Sequence, residues 1–246
     1  MQPKVRSIKV KSTLAVLLVA AGLVTQLAAW PTNILAAPAA LPAHVLGDPQ
    51  PATGLAATVR IEHRWDVQQG SDVTTVIAYS LGTVIGPQTI LTHNHFDPNT
   101  GKLDNEWMAV AESDGDIVQL SLADMALDPI DKGTLLIGLP DDLTVSIASV
   151  ADQVTVNRLA VGDWLTVVYW DDSNERLTQQ DFQIVKLAQG IAILADPERI
   201  INSGDSGGGA YMAGKLVGNT WRITTDTNDR PLGRFTIALV PAQVTE

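Results

Sequence analysis

Residues 202–209 read Asn-Ser-Gly-Asp-Ser-Gly-Gly-Gly, so Asp205 and Ser206 lie among four glycines. Glycine adopts positive φ angles and lets the backbone approach other atoms closely. The stretch therefore predicts a tight, exposed bend that holds the Ser206 hydroxyl beside the backbone N–H groups of Gly204 and Ser206. A nucleophile next to two N–H donors is the arrangement that acyl transfer requires. An ordinary glycine-rich turn between two strands is the alternative.

The first 39 residues differ from the rest of the chain. They contain four basic residues and no acidic one, followed by an apolar segment over residues 14–24 and small residues at Ala37-Pro38-Ala39. This order is typical of a secretory signal peptide, with an uncleaved N-terminal anchor as the alternative. We therefore expect secretion, or retention at the cell envelope if the segment is not cleaved. Residues 40–56 contain three prolines and predict a linker or short pro-segment.

The charge and the absence of cysteine exclude several classes of function. Four of the 16 basic residues lie in the predicted signal peptide, so the rest of the chain has 12 basic against 27 acidic residues, a net charge of −15. A strongly acidic chain is unsuited to nucleic acid and to anionic membranes. Because the chain has no cysteine, disulfides, thiol catalysis and cysteine-based zinc sites are excluded.

From Thr58 onward, short apolar or alternating segments recur between turn residues, a pattern typical of an all-β sandwich or barrel. The pattern restarts after Ala151, which predicts one β-barrel over residues 57–150 and a second over residues 151–246. The predicted strands are 58–65, 73–85, 89–92, 117–122, 134–137, 143–147, 164–170, 182–187, 191–194, 210–212, 215–221 and 235–240.

A serine hydroxyl is a poor nucleophile unless a base accepts its proton, and histidine is the usual base. The chain has four histidines. His44 lies in the predicted linker, and His63 lies within an alternating strand segment, which favours a surface role. The remaining candidates are His93 and His95, which follow the short strand 89–92.

Here the sequence resembles a known family. Residues 82–95 resemble the strand–turn–strand–histidine block of the chymotrypsin-like (trypsin-fold) serine proteases. Gly204-Asp205-Ser206-Gly207-Gly208 resembles the nucleophile motif of the same family. In that register His95 is the general base and Ser206 is the nucleophile, and the N–H groups of Gly204 and Ser206 form the oxyanion hole.

The resemblance also implies an acid that orients the histidine. The family places it shortly before an apolar strand, and Asp131, ahead of Leu135-Leu136-Ile137, matches this pattern with one extra residue. The order His95, Asp131, Ser206 is that of chymotrypsin-like enzymes. The intervals of 36 and 75 residues resemble the compact bacterial glutamyl-endopeptidase-like branch. The nearest alternative acid is Asp128, followed by Asp124 and Asp116.

The resemblance further implies which residues bind the substrate side chain before the cleaved bond, called P1. They lie just before the nucleophile and around a later tryptophan: Ile200, Ile201, Thr220, Trp221 and Arg222. Glutamate-specific relatives have a hydroxyl residue where this chain has Ile201 and a histidine where it has Thr220. Trypsin-like relatives have an aspartate where it has Ile200. We therefore expect a small or apolar P1 residue.

Two other functions compete with this one. His93-Asn94-His95-Phe96-Asp97 resembles the His-x-His-x-Asp motif of metallo-β-lactamase-fold hydrolases. That motif needs a histidine directly after the aspartate and further ligands downstream, whereas Pro98 follows Asp97 and no histidine or cysteine follows His95. We therefore expect no metal ligands. A non-catalytic binding protein on the protease fold is the other alternative, because a fold does not determine function.

These patterns together predict two six-stranded antiparallel β-barrels packed against each other, with an active site in the cleft between them. The resemblance implies a serine endopeptidase that acts on peptide or protein substrates and requires no cofactor. We expect a monomer with neither a nucleic acid partner nor a stable membrane partner.

Overall fold

A computed structural model describes residues 53–69, 71–94, 107–111, 117–121, 125–143, 145–228 and 230–244. The predicted signal peptide and residues 40–52 of the predicted linker lie outside these residues, as do His95 and Asp97. The described residues belong to one compact unit. Within this part of the chain, no helix is long and apolar enough to cross a membrane.

Strands dominate the described residues, which confirms the predicted all-β class. The strands are β1 Thr58–Gln69, β2 Asp72–Gly86, β3 Thr89–Thr92, β4 Trp107–Ala111, β5 Ile117–Ser121, β6 Ala126–Pro129, β7 Leu135–Gly138, β8 Trp164–Asp171, β9 Arg176–Ala188, β10 Ile191–Ala195, β11 Gly209–Met212, β12 Lys215–Thr225 and β13 Pro231–Leu239. The helical segments are short: α1 Thr53–Ala56, α2 Gln153–Asn157 and a 3₁₀ turn at Ala242–Val244.

β1 to β7 form one antiparallel sheet in the order β5-β4-β1-β2-β3-β7-β6. Its main feature is a long hairpin of β1 and β2, whose pairing runs without interruption from Thr58 opposite Thr83 to Gln69 opposite Asp72. The sequence predicts six strands in this half and the sheet has seven. β4 and β6 are additional strands, whereas the described residues of the predicted strand 143–147 are not a strand. The Leu143 N–H instead donates to the Pro87 carbonyl oxygen at 2.9 Å.

β8 to β13 close into a six-stranded barrel in the order β10-β13-β12-β11-β8-β9, as predicted for the second half. Alternate residues of a strand point to opposite faces, so one set fills the barrel interior. Phe182 and Phe235 meet there edge to face, with ring centroids 5.0 Å apart, a favoured geometry for aromatic pairs. Leu165, Ile184 and Ile237 pack in the same core.

The sheet and the barrel share an apolar cluster. Ala57 and Leu91 from the first half pack with Val168, Tyr211 and Leu216 from the barrel. All five are at least 96% buried, so this cluster fixes the two halves against each other.

Arg60 makes a second contact between the halves. Its guanidinium lies 4.2 Å from the ring centroid of Tyr79 on β2 and 4.0 Å from that of Trp170 on β8. A guanidinium stacks favourably on aromatic faces. This sandwich therefore bridges β1, β2 and the barrel.

The packed chain includes part of the predicted linker. α1 lies within residues 40–56, and the Gly54 carbonyl oxygen accepts a 2.7 Å hydrogen bond from the Thr58 hydroxyl. A Cβ atom on Gly54 would lie 3.0 Å from the Tyr211 ring. This turn therefore packs against the barrel before β1 begins.

Candidate active site

Ser206 lies on an irregular turn between β10 and β11 whose shape requires glycine. Gly204 and Gly207 have φ angles of +106° and +90°, in the left-handed region that other residues rarely adopt. A Cβ atom on Gly207 would overlap the Leu81 carbonyl oxygen. The backbone of β2 therefore approaches the turn more closely than a side chain would allow.

Backbone hydrogen bonds tie this turn to both halves of the protein. The Leu81 N–H of β2 donates to the Ser206 carbonyl oxygen at 2.8 Å, and the Gly207 N–H donates to the Thr220 carbonyl oxygen of β12 at 2.7 Å. The Thr220 N–H donates in return to the Gly208 carbonyl oxygen at 2.8 Å. These bonds place Ser206 at the junction of the sheet and the barrel, where it is half-buried.

The backbone N–H groups of the turn fall into two sets. Those of Ser203, Gly204 and Ser206 donate to no residue that the structure describes, whereas those of Asp205, Gly207 and Gly208 each donate to a backbone carbonyl. Backbone N–H groups beside a nucleophile that keep their donor capacity are what an oxyanion hole supplies. The assignment of the Gly204 and Ser206 N–H groups to an oxyanion hole stays a prediction.

Asp205 anchors the turn from inside. Its side chain is 2% exposed and accepts 2.7 Å hydrogen bonds from the N–H groups of Asn202 and Trp170. Burial raises the pKa of Asp205 to about 6, although these two bonds act in the opposite direction, and the nearby carboxylate of Asp172 raises the pKa further. Through these bonds to backbone N–H groups, the Asp205 side chain fixes the turn to β8.

The segment that leads to His95 touches the same turn. The Thr92 hydroxyl, at the end of β3, donates a 2.7 Å hydrogen bond to the Leu81 carbonyl oxygen. A Cβ atom on Gly207 would also overlap this hydroxyl. His95 itself lies outside the described residues, but the strand that ends three residues before it contacts the turn that carries Ser206.

Asp131 lies in the hairpin turn between β6 and β7. Its Oδ1 accepts a 2.8 Å hydrogen bond from the Gly133 N–H, and its backbone carbonyl accepts a hydrogen bond from the Asn94 side chain. Asp131 therefore lies beside the residue that directly precedes His95. Asp128 is exposed on β6 opposite Leu136, and the other two alternatives, Asp116 and Asp124, lie outside the described residues.

Asn219 connects the Asp131 hairpin to the Ser206 turn. This residue is fully buried in β12, and its side-chain amide donates a 3.0 Å hydrogen bond to the Gly133 carbonyl oxygen. The next residue, Thr220, holds the Ser206 turn from the same strand. β12 therefore brings the segments of Asp131 and Ser206 together.

Solved structures share this architecture. A scabies mite inactivated protease paralogue, S-I1, is similar over 78% of this chain and 92% of its own, with 14% identity and a TM-score of 0.55. HL collagenase is similar over 76% of this chain and 90% of its own, with 15% identity and a TM-score of 0.54. The fold is that of the chymotrypsin-like serine proteases.

An HtrA-type protease, AlgW with a decapeptide, shows the same chymotrypsin-like fold. It is similar over 76% of this chain at 15% identity and a TM-score of 0.56, and the chain spans 62% of that protein. Identities this low establish the chymotrypsin-like fold and leave the activity to be tested. No protein-family model and no curated protein matches the sequence.

The predicted substrate-binding residues occupy different environments in this chymotrypsin-like fold. Ile201 and Thr220 are 3% and 1% exposed, and Ile201 packs in the barrel core. Ile200 and Trp221 are half-buried, and Arg222 is exposed with its guanidinium 4.4 Å from the Trp221 ring centroid. The role of these residues in substrate binding stays a prediction.

The metal-binding alternative depends on residues that are mostly outside the described part. Of that motif's three ligand positions only His93 is described, and it is 7% exposed. No group of three histidine or acidic side chains among the described residues is arranged to hold a metal ion. The motif thus stays a sequence resemblance.

Asp196 was not singled out from the sequence, although it shapes the approach to Ser206. It is 3% exposed and accepts hydrogen bonds from the N–H groups of Ile200 and Ile201 at 2.9 and 3.0 Å. Asp205 holds the N–H of the next residue, Asn202, in the same way, so two buried carboxylates hold the segment before the nucleophile. Their partners are backbone groups, which leave no signal in a sequence.

Proposed function

We propose that this chain is a secreted serine endopeptidase that hydrolyses peptide bonds through an acyl-enzyme intermediate. The observation that carries the proposal is the Ser206 turn. The backbone N–H groups of Gly204 and Ser206 lie beside the Ser206 side chain and have no acceptor among the described residues. Backbone hydrogen bonds tie the same turn to both halves of the fold.

In the proposed mechanism, His95 accepts the hydroxyl proton as the Ser206 Oγ attacks the carbonyl carbon of the substrate. The N–H groups of Gly204 and Ser206 stabilise the negative charge that develops on the carbonyl oxygen. Asp131 orients His95 and stabilises its cation. His95 then donates the proton to the leaving amine, and a water molecule, deprotonated by His95, hydrolyses the ester and restores Ser206. This chemistry uses no metal or organic cofactor.

Two contacts support His95 and Asp131 in these roles. Thr92 brings the end of β3 to Leu81, whose N–H bonds to Ser206. The Asn94 side chain bonds to the Asp131 backbone. The chain on the N-terminal side of His95 is therefore held between the proposed nucleophile and the proposed acid.

A non-catalytic binding protein is the second candidate. Two of the structures with the same fold are described as inactivated protease paralogues from the scabies mite. The fold alone therefore carries no activity, and the serine must be tested directly.

The test is covalent labelling of the purified chain by a fluorophosphonate probe, which reacts with activated serines. Wild type is compared with Ser206→Ala, His95→Ala and Ser203→Ala. Ser203 is the matched control because it is an exposed serine on the same turn. We expect labelling to be absent in Ser206→Ala, slowed by about a thousandfold or more in His95→Ala, and unchanged in Ser203→Ala.

A peptide library with varied P1 residues then measures specificity, for which we propose small and apolar residues. Labelling that persists in Ser206→Ala would contradict the proposed nucleophile. A folded wild type that does not label, even after residues 40–52 are removed, would favour the binding protein.

A further inference from the structure

β2 extends well beyond the strand that pairs with it. It has 15 residues, but β3 pairs only with residues 83–86, and among the described residues no strand pairs with the same edge over residues 72–80. At one end this edge is limited by Gly204, where an added Cβ atom would lie 3.9 Å from the Tyr79 carbonyl oxygen. The part that no described residue covers is therefore residues 72–77, which we call the free edge.

The hydrogen bonds of β2 identify the backbone groups that face the free edge. The Val84 N–H points to β1, where it donates to the Ala57 carbonyl oxygen. The Leu81 N–H points to the other side, where it donates to Ser206. Backbone groups alternate along an antiparallel pair, and the pairing of β1 with β2 is unbroken. The residues that present N–H and C=O groups to the free edge are therefore Val73, Thr75 and Ile77.

The free edge lacks the features that usually keep a strand edge from pairing. Many proteins protect such an edge with a lysine, a proline, a bulge or an inward-pointing charge. Residues 73–79 read Val-Thr-Thr-Val-Ile-Ala-Tyr, without charge, proline or glycine. Val73 and Ile77 are 54% and 44% exposed, high values for apolar side chains. An unprotected apolar edge of this kind is suited to pairing with another strand.

The free edge is complementary to itself. A two-fold axis at Thr75 lets two copies of β2 pair antiparallel through about six hydrogen bonds, with each Val73 opposite the Ile77 of the other copy. An axis one residue further along would place Val73 opposite Tyr79, where the edge is no longer free. An axis one residue earlier would place Ile77 opposite Ser71, in the hairpin turn. The axis at Thr75 is therefore the one that uses the whole free edge.

The charge of the chain also favours contact between copies at this place. Without the predicted signal peptide the chain has a net charge of −15, so two copies repel each other over much of their surfaces. No Asp, Glu, Lys or Arg lies between Asp72 and Asp97. Across the hairpin, Arg64 and Asp66 lie opposite Ile77 and Thr75, and their charges cancel. Two acidic copies can therefore meet at the free edge with little repulsion.

We propose that two copies of this chain associate through β2, with residues 73–77 paired antiparallel about a two-fold axis at Thr75. The two hairpins then form one four-stranded sheet in the order β1-β2-β2-β1, and the same surface is used twice, as in most symmetric dimers. The interface is small, so we expect a weak dimer with a Kd of roughly 10–100 µM. The proposal goes beyond the proposed function and replaces the monomer expected from the sequence.

The first test is analytical ultracentrifugation of the purified chain over about 1–200 µM. We expect the mass to rise from that of one chain toward that of two, for wild type and equally for Ser206→Ala. Because Ser206 takes no part in the strand pairing, this result does not depend on the outcome of fluorophosphonate labelling. A wild type that stays monomeric over the whole range would overturn the proposal.

The position of the axis is tested with two charge variants. Thr75→Lys and Thr75→Glu each place two like charges opposite each other at the axis, so we expect each variant alone to raise Kd about fivefold or more. An equimolar mixture of the two variants restores the dimer, because the facing charges are then opposite in sign. The Thr75 hydroxyl also donates to Asp66 at 2.6 Å within one copy. That bond is lost in both variants, so the mixture isolates the contact between copies.

Gln180→Lys is the matched control for the added charge, because Gln180 is exposed on β9 of the barrel. We expect this variant to form the dimer as wild type does. A Thr75→Lys variant that associates as strongly as wild type would overturn the proposal, and so would a mixture that stays monomeric.

The backbone pairing is tested with Ile77→Pro, which removes an N–H that faces the free edge and leaves the bonds between β1 and β2 intact. We expect this variant to stay monomeric at about 200 µM, whereas Ile77→Val, which keeps the N–H and a β-branched side chain, still forms the dimer. Circular dichroism checks that both variants fold. Association of folded Ile77→Pro with the Kd of wild type would overturn the proposal, and the mixture of Thr75 variants decides it if Ile77→Pro does not fold.

Discussion

The Leu81 N–H donates a 2.8 Å hydrogen bond to the Ser206 carbonyl oxygen, and the Leu81 carbonyl accepts a 2.7 Å bond from the Thr92 hydroxyl. One residue of β2 thus contacts both the turn of the proposed nucleophile and the strand that leads to the proposed base. The backbone of β2 therefore helps to fix Ser206 relative to the first sheet.

This relationship predicts that Gly207 tolerates no side chain. In Gly207→Ala the new Cβ would overlap the Leu81 carbonyl oxygen and the Thr92 hydroxyl, at a φ of +90°. Leu81 is held within the paired hairpin and cannot move away easily. We expect the free energy of unfolding, measured by urea denaturation, to fall by about 3 kcal/mol or more.

The control for this substitution is Gly190→Ala. Gly190 has a φ of +70°, and nothing lies within 4 Å of the place that an alanine methyl group would take there. We expect a loss of only about 1–2 kcal/mol from the left-handed backbone. Equal losses in the two variants would show that contact with Leu81 and Thr92 does not matter.

The proposed acid is tested by comparing Asp131→Asn with Asp128→Asn. Both side chains are exposed, but Asp131 lies beside Asn94, next to His95, whereas Asp128 lies on β6 opposite Leu136. We expect Asp131→Asn to lower kcat/KM by about 10⁴-fold and Asp128→Asn to lower it by less than about tenfold. The readout is hydrolysis of the best library peptide, with circular dichroism as a check of folding. The reverse order would assign the acid to Asp128.

Much of this fold follows from local sequence patterns. β2, β3 and β8 lie within one residue of their predicted ends, because each is a segment rich in strand-forming residues between turns. β6 was missed because it contains Asp128 and Pro129, which disfavour strands. Its pairing with β7 stabilises it instead, and a pairing partner is not visible in a local window.

The site could be predicted only where its residues are neighbours in the sequence. The glycine turn around Ser206 is one continuous motif, so sequence alone indicates it. Asn219 looks like any polar residue in a strand, because its partner Gly133 is 86 residues away. Arg60 looks like the outward-facing residue of an alternating strand, and only the fold places it between Tyr79 and Trp170.

Asp205 predicts a specific dependence of stability on pH. Burial raises its pKa to about 6 from an ordinary value of 3.8. Because the pKa of Asp205 is higher in the folded state, its protonation stabilises the folded protein. This stabilisation is fully present below about pH 4 and is lost as the pH rises through about 6. Asp205→Asn does not ionise. The free energy of unfolding of wild type relative to this variant should therefore fall by about 3 kcal/mol between pH 3 and pH 7.

The control for the pH experiment is Asp171→Asn, for which the free energy of unfolding is expected to change with pH in the opposite direction. Hydrogen bonds from Ser173 and Asn174 lower the pKa of Asp171 to about 2. The advantage of wild type over this variant is present above about pH 4 and is lost as the pH falls toward 2. Urea denaturation from pH 3 to pH 7 measures both variants. A pH-independent difference between wild type and Asp205→Asn would show that folding does not shift the pKa of Asp205.

The position of Arg60 between two aromatic rings predicts that its side chain stabilises the junction of the two halves. Arg60→Ala removes a half-buried guanidinium from between the Tyr79 and Trp170 rings, so we expect the free energy of unfolding to fall by about 1–2 kcal/mol. Arg222→Ala is the matched control, because Arg222 is exposed and stacks only on its neighbour Trp221. Its loss should stay within about 0.5 kcal/mol. Equal losses would indicate that the sandwich adds nothing beyond a surface contact, whereas a larger loss in Arg60→Ala would show that its stacking between the two rings stabilises the fold.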